Sequence, residues 1–141
     1  MQIYIKKENI DQNVQNISDY LESSLVFDKP NKPHYLIYDS NGLSYIKDSK
    51  NPREILHINF LKGALGWRMK RAQHESNLKK ALGKNTNQLA IFDATAGLLT
   101  DTMIFLSLGD KVVAVEQSKI LFSLVSDAIF LSLIHISEPT R

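Results

Sequence analysis

The stretch 89-LAIFDATAGLLTD-101 decides the fold of this chain. An apolar run ends on a carboxylate, Asp93, passes through Ala94, Thr95, Ala96 and Gly97, and gives way to a second apolar run from Leu98. The near-continuous run LAIFD predicts a strand buried on both faces, as in a parallel sheet. TDTMIFLSLG then predicts a short helix, with Thr100 as N-cap and Gly109 as stop. KVVAVE, residues 111–116, repeats the strand pattern, and SKILFSLVSDAIF, residues 118–130, repeats the helix from Ser118. Strand–helix–strand–helix with short links is the βαβ pattern of a doubly wound, Rossmann-like α/β sheet. Residues 89–130 are thus expected to form the first βαβα of such a domain.

Upstream, residues 1–60 read as a small α+β unit. QIYIK, residues 2–6, alternates as a strand. Val14, Ile17, Leu21 and Leu25 recur at helical spacing after Asp11, a suitable N-cap. HYLIYDSNGLSYIK predicts a hairpin through Asn41-Gly42, a pair suited to positive φ, and ILHINF predicts a further strand. Tyr35, Tyr38 and Tyr45 are expected to pack across the hairpin, and His34 and His57 to pack on their strands. Residues 61–88 form a connecting segment in which GWRMKRAQHESNLKKAL, residues 66–82, predicts one basic helix closed by Gly83. The last eleven residues, LSLIHISEPTR at 131–141, do not extend the preceding helical pattern. They are read as an adaptor-derived tail that is not native to the protein.

Composition narrows the function. The chain of 141 residues is 43% apolar and 23% charged, as an ordinary globular protein is. It has no cysteine, which excludes thiol catalysis, disulfides and zinc–thiolate sites. No His/Asp/Glu spacing resembles a metal site. The N-terminus has no run of signal-peptide type, and the most apolar stretch, 119–136, carries Lys119, Asp127 and His135. A cytoplasmic protein without a membrane span is expected. Net charge is +2 overall, but residues 62–84 carry +6 while 1–61 carry −1 and 85–130 carry −3. A cationic block of this kind suits a polyanion, with Arg68, Lys70 and Arg71 as candidate RNA contacts and a solvated helix face as the plainer alternative. Trp67 beside them suits either a core or interface anchor or a base-stacking role.

Ligands of open parallel sheets sit at the carboxyl ends of the strands, where DATAGLLTD lies. A dinucleotide site needs G-x-G-x-x-G, so that a pyrophosphate can approach bare backbone. Here there is one glycine, and Asp93 would repel the anion. A cationic cofactor such as S-adenosylmethionine would be attracted instead. Glu116, nineteen positions after Gly97 at the end of the second strand, is placed to accept from a ribose diol in either case.

FDATAGLLTDTMIFLSLGDKVVAVEQS, preceded by GALGWRMKRAQHESNLKKALG, resembles the RsmJ-type ribosomal RNA small-subunit methyltransferases. The resemblance is best over about residues 60–130. It implies a class I enzyme that methylates a guanosine N2 of 16S rRNA from S-adenosylmethionine, with small-subunit ribosomal RNA as partner. It implies cofactor contacts at Thr100 and Asp101 and at Glu116 and Gln117, beside the turn residues Asp93, Ala94 and Gly97 expected from the reading above. Three positions depart from the family pattern D-A-T-A-G-L-G-R-D and its later Glu-Arg pair: Leu99 stands for a glycine, and Thr100 and Gln117 for arginines. The family's Asp-Pro-rich catalytic segment has no counterpart in this sequence and is expected beyond Phe130. The chain as given is therefore expected to be inactive. An NAD(P)-dependent oxidoreductase and a non-catalytic RNA-binding module are the competing readings.

Overall fold

The computed structural model describes residues 1–48, 50–83 and 87–137. Its strands are β1 (Gln2–Ile5), β2 (Ser24–Val26), β3 (Tyr35–Asp39), β4 (Gly42–Ile46), β5 (Ile55–His57), β6 (Ala90–Asp93) and β7 (Lys111–Ala114). Its helices are α1 (Gln12–Leu21), α2 (Gly63–Lys70), α3 (Ser76–Ala81), α4 (Thr100–Ser107) and α5 (Lys119–Ser137). The chain divides into two compact units: Met1–Ile58 together with the chain from Ser118 onward, and Asn59–Gln117.

The first unit is a five-stranded sheet of order β2-β1-β3-β4-β5, in which β1 lies parallel to β2 and β3 while β3, β4 and β5 run antiparallel. Its core gathers Ile3, Ile5, Val14, Leu36, Leu43 and Leu124, all almost fully buried. Asp11 caps α1 as expected, accepting the Val14 amide at 2.8 Å. The helix stops earlier than its apolar spacing suggests. Glu22 turns left-handed at φ 51°, and Leu25 leaves the helix to pair with Ile3 on the sheet edge. In the hairpin, Asp39 pairs with Gly42, so the two-residue loop is Ser40–Asn41 and the positive φ (96°) falls on Gly42. Gly42 has a second constraint, since a Cβ there would overlap the Asp127 carboxylate and the Leu131 side chain. Tyr35 and Tyr38 are buried, but His34 and His57 are exposed rather than packed. Their rings find hydroxyls instead: Tyr45 at 2.6 Å from His34 and Ser44 at 3.0 Å from His57.

Helix α5 belongs to this unit. Ser118 opens it as expected, accepting the Leu121 amide at 3.3 Å, and the helix continues to Ser137, well into the segment read as a non-native tail. LSLIHIS contains neither glycine nor proline, so nothing in it stops a helix already under way. Residues 138–141 of that segment lie outside the described residues. Buried Asp127 accepts the Leu43 amide at 2.6 Å and the Asn13 side chain at 2.7 Å, which satisfies both carboxylate oxygens. The expected division at residues 60/61 and 130/131 thus differs from the compact units, which assign α5 to the N-terminal sheet.

In the second unit β6 and β7 form a parallel pair, with α4 crossing between them. Ile104 and Phe105 of α4 are buried, and Ile91 and Val112 are half-buried. The other face is open, with Phe92 67% and Val113 63% exposed. The expectation of strands buried on both faces therefore does not hold in this chain, because α4 covers one face alone. The basic helix expected over 66–82 is instead three pieces: α2, a 3-10 turn at Ala72–His74, and α3, with breaks at Arg71 and Glu75. Gly83 closes α3 with φ 62° as expected; Lys84 and the polar loop to 86 lie outside the described residues. Gly66 is buried on α2 against the Leu61 backbone, where a Cβ would lie 2.7 Å from the Leu61 carbonyl carbon.

A candidate cofactor pocket and a cationic face

Strand β6 ends at Asp93, and the turn that follows is organised around this one carboxylate. Oδ1 accepts the Thr95 amide at 3.2 Å, and Oδ2 accepts the Thr102 hydroxyl from α4 at 2.5 Å. Thr102, 4% exposed, holds the Asp93 carboxylate in place, a role that sequence reading missed. Its signal was a second hydroxyl in TDTMIFLS, one helical position beyond Asp101. The strand pair is extended by Val115, whose amide donates to the Asp93 carbonyl at 2.9 Å.

Three more turn amides are also used internally. Ala96 donates to the Val115 carbonyl at 3.0 Å, Gly97 to Glu116 Oε2 at 2.9 Å, and Leu99 to the Ala96 carbonyl at 2.8 Å. A phosphate-binding turn must aim such N–H groups at its ligand. Here the amides of Thr95, Ala96, Gly97 and Leu99 bind the chain itself, so the turn is unsuited to a pyrophosphate.

Leu99 completes the turn in a left-handed conformation, φ 58° and ψ 21°, with its side chain 7% exposed. It occupies the N-cap of α4, and Thr100, the expected cap, is the first helical residue. No side chain caps this helix, because the left-handed Leu99 has no hydrogen-bonding group to offer its amides.

Asp93, Ala94, Thr100 and Asp101 line one cavity of about 440 Å3, whose apolar side includes Leu82, Phe92 and Phe105. The volume lies in the range of small-molecule sites. Gly97 and Glu116 are bonded to each other just behind the turn and do not line the cavity; Gln117 is exposed and stands apart from it. The cavity's charged lining residues are both carboxylates, so the site offers negative potential and suits a cationic group. Among the described residues no group of three or more His, Asp or Glu could hold a metal ion, and no helix is long and apolar enough to cross a membrane.

The structure separates the three cationic candidates. Arg68 is turned toward acids, with Nε 2.9 Å from Glu75 and a terminal nitrogen 3.8 Å from Asp101. The hydrogen bond to Glu75 holds the guanidinium above its ordinary pKa, and Arg68 in turn holds the Glu75 carboxyl below the usual carboxylate range. Lys70 and Arg71 are exposed. Trp67 is exposed with them, so it is not a core anchor.

A family model described as "Putative SAM-dependent methyltransferase" matches residues 20–132. The Ribosomal RNA small subunit methyltransferase J of Desulfotalea psychrophila is 31% identical over 128 residues, covering 86% of this chain and 49% of that protein. That of Thioalkalivibrio sulfidiphilus is 28% identical over 124 residues, with the same shares of 86% and 49%. The crystal structure of a SAM-dependent methyltransferase from Neisseria gonorrhoeae superposes with a TM-score of 0.73 at 24% identity, covering 95% of this chain and 53% of that one. This likeness shows the fold, that of a Rossmann-like methyltransferase. The chain spans about half the length of the curated relatives it matches.

Proposed function

The chain belongs to the SAM-dependent methyltransferase family, and from that premise we propose that it forms the cofactor-binding part of a cytoplasmic enzyme that methylates guanosine N2 in small-subunit ribosomal RNA. The observation that carries the cofactor side is the Asp93 turn, whose amides are internally bonded and whose cavity is lined by carboxylates. Such a site accepts a positively charged donor and disfavours a dinucleotide pyrophosphate. When bound, S-adenosylmethionine supplies an electrophilic methyl group on a sulfonium.

The chain's own residues bind and orient. Asp93, fixed by Thr95 and Thr102, and Asp101, steadied by Arg68, balance the donor's positive charge across the cavity mouth. Ala94 and Thr100 shape the wall, and Gly97 keeps the turn tight against Glu116. Glu116 and Gln117 follow β7 outside the cavity lining, so they meet the ribose hydroxyls only where the nucleoside extends past the turn. Lys70 and Arg71 meet RNA phosphates as sequence-independent contacts, and Arg68 acts through Asp101. The names of the relatives support the ribosomal substrate.

Calorimetry on the chain tests this reading: S-adenosylhomocysteine should release heat and NADH should not. Asp93→Asn should weaken S-adenosylmethionine about tenfold, since one unit charge a few ångströms away is worth about 1 kcal/mol or more. It should weaken the product, which has lost the sulfonium charge, less. If the variant holds the charged donor as tightly as the parent, the electrostatic argument fails; binding of NADH alone would replace it with the oxidoreductase reading.

A further inference from the structure

Trp67 is the chain's single tryptophan, and it stands on α2 with 60% of its surface in solvent. An indole is ordinarily among the most buried side chains, because so large an apolar surface gains from leaving water. This one is instead fixed from one side: the guanidinium of Arg71, one turn further on, lies 4.8 Å from the ring centroid. Lys70 and His74, close by in sequence, are exposed as well, and α2 contains no acidic residue. The nearby acids, Glu75 and Asp101, are engaged by Arg68. The segment therefore combines one flat π-surface, a cation set against it and further exposed basic residues, with no carboxylate on α2.

We propose that Trp67, held in place by Arg71, is a stacking platform for an unpaired base of single-stranded RNA, with Lys70 on the adjoining phosphate. A paired base has both faces covered by its neighbours, so only an unpaired one can lie on the indole. A cationic rim around the ring matches a polyanion better than the apolar surround of a protein-binding anchor. This inference rests on the reading of RNA as the substrate, and it deepens that reading by specifying an unpaired base. It does not involve the cofactor cavity, which Trp67 does not line.

Because there is one tryptophan, its emission reports this site alone. The chain is titrated with an unstructured RNA of roughly a dozen nucleotides and with the same RNA annealed to its complement. The single strand should quench the emission and the duplex should not. Trp67→Leu should weaken single-strand binding about tenfold, whereas Trp67→Phe should keep most of it. Both variants should bind S-adenosylhomocysteine as the parent does, which certifies their folding. Single-strand binding with unchanged emission and unchanged affinity in Trp67→Leu would overturn the platform and leave RNA recognition standing. Equal quenching by the duplex would overturn the requirement for an unpaired base. A blue shift that grows with protein concentration in the absence of RNA would assign Trp67 to a protein interface instead. No RNA binding by the parent chain would overturn the platform together with the RNA reading.

Discussion

Replacing Leu99 separates two effects that oppose each other at one residue. Its side chain is 7% exposed, and its backbone is left-handed at φ 58°. Leu99→Ala removes the buried side chain and leaves the strain, a loss of about 2–3 kcal/mol. Leu99→Gly removes the side chain as well, but it also releases a left-handed conformation that costs an L-residue about 1–2 kcal/mol. Against that relief stands about 0.5–1 kcal/mol for the greater freedom of glycine in the unfolded chain. The glycine variant should therefore be the more stable of the two by about 0.5–1 kcal/mol. With a urea slope of about 1 kcal/mol per molar, its unfolding midpoint should lie about 0.5–1 M higher. At a position of ordinary backbone the order reverses, because alanine there outlasts glycine by a similar amount. Equilibrium unfolding in urea, followed by far-ultraviolet circular dichroism and by Trp67 emission, reads the difference directly. An alanine variant as stable as the glycine variant, or more so, would refute the strain at this turn.

Two further outcomes are expected. Burial raises the Asp127 carboxyl above its ordinary pKa against the opposing hydrogen bonds from Leu43 and Asn13, so the folded chain holds this proton more tightly than the unfolded one. The stabilisation it gives is full below the ordinary carboxylate pKa and is lost as pH rises through the folded value; Asp127→Asn should flatten that part of a stability-against-pH curve, and an unchanged slope would dismiss the argument. In the basic segment, Lys70→Ala and Arg71→Ala should each lower the salt dependence of RNA binding by about one unit of slope, whereas Arg68→Ala should act mainly by lowering stability through its lost bond to Glu75. Salt titrations of the three variants, each paired with a melting curve, distinguish these effects.

Local chemistry made part of this fold legible. Asp11 as a cap, the hairpin around Gly42, Gly83 and Gly109 as helix stops, and the order β6-α4-β7 all follow from short stretches whose preferences agree with their surroundings. The misreadings lie where distant partners decide. Leu25 fits the helical spacing of α1 but takes a place beside Ile3 instead. The basic helix breaks where Arg68 reaches Glu75, a pairing that no periodicity announces. The apolar runs of β6 and β7 gave no sign that Phe92 and Val113 would face solvent. At the candidate site, Asp93 was readable because an acid that closes an apolar strand is conspicuous, whereas Asp101, in the first turn of α4, was named only by the family pattern. Thr102 was not readable, since a threonine in the first turn of a helix reads as an ordinary neighbour until its hydroxyl is seen on Asp93.

The bond from the Leu43 amide to Asp127 spans 84 residues, and the one from Asn13 spans 114. Asn59–Gln117 is therefore an insertion within the first unit, and the ribosome must synthesise all of it before α5 can dock. Until then the nascent hairpin lacks the acceptor for its Leu43 amide, and the apolar side of its sheet lacks Leu124. Such a chain has a vulnerable interval during synthesis, when its earliest-made strands are exposed to chaperones and proteases and depend on a helix not yet translated.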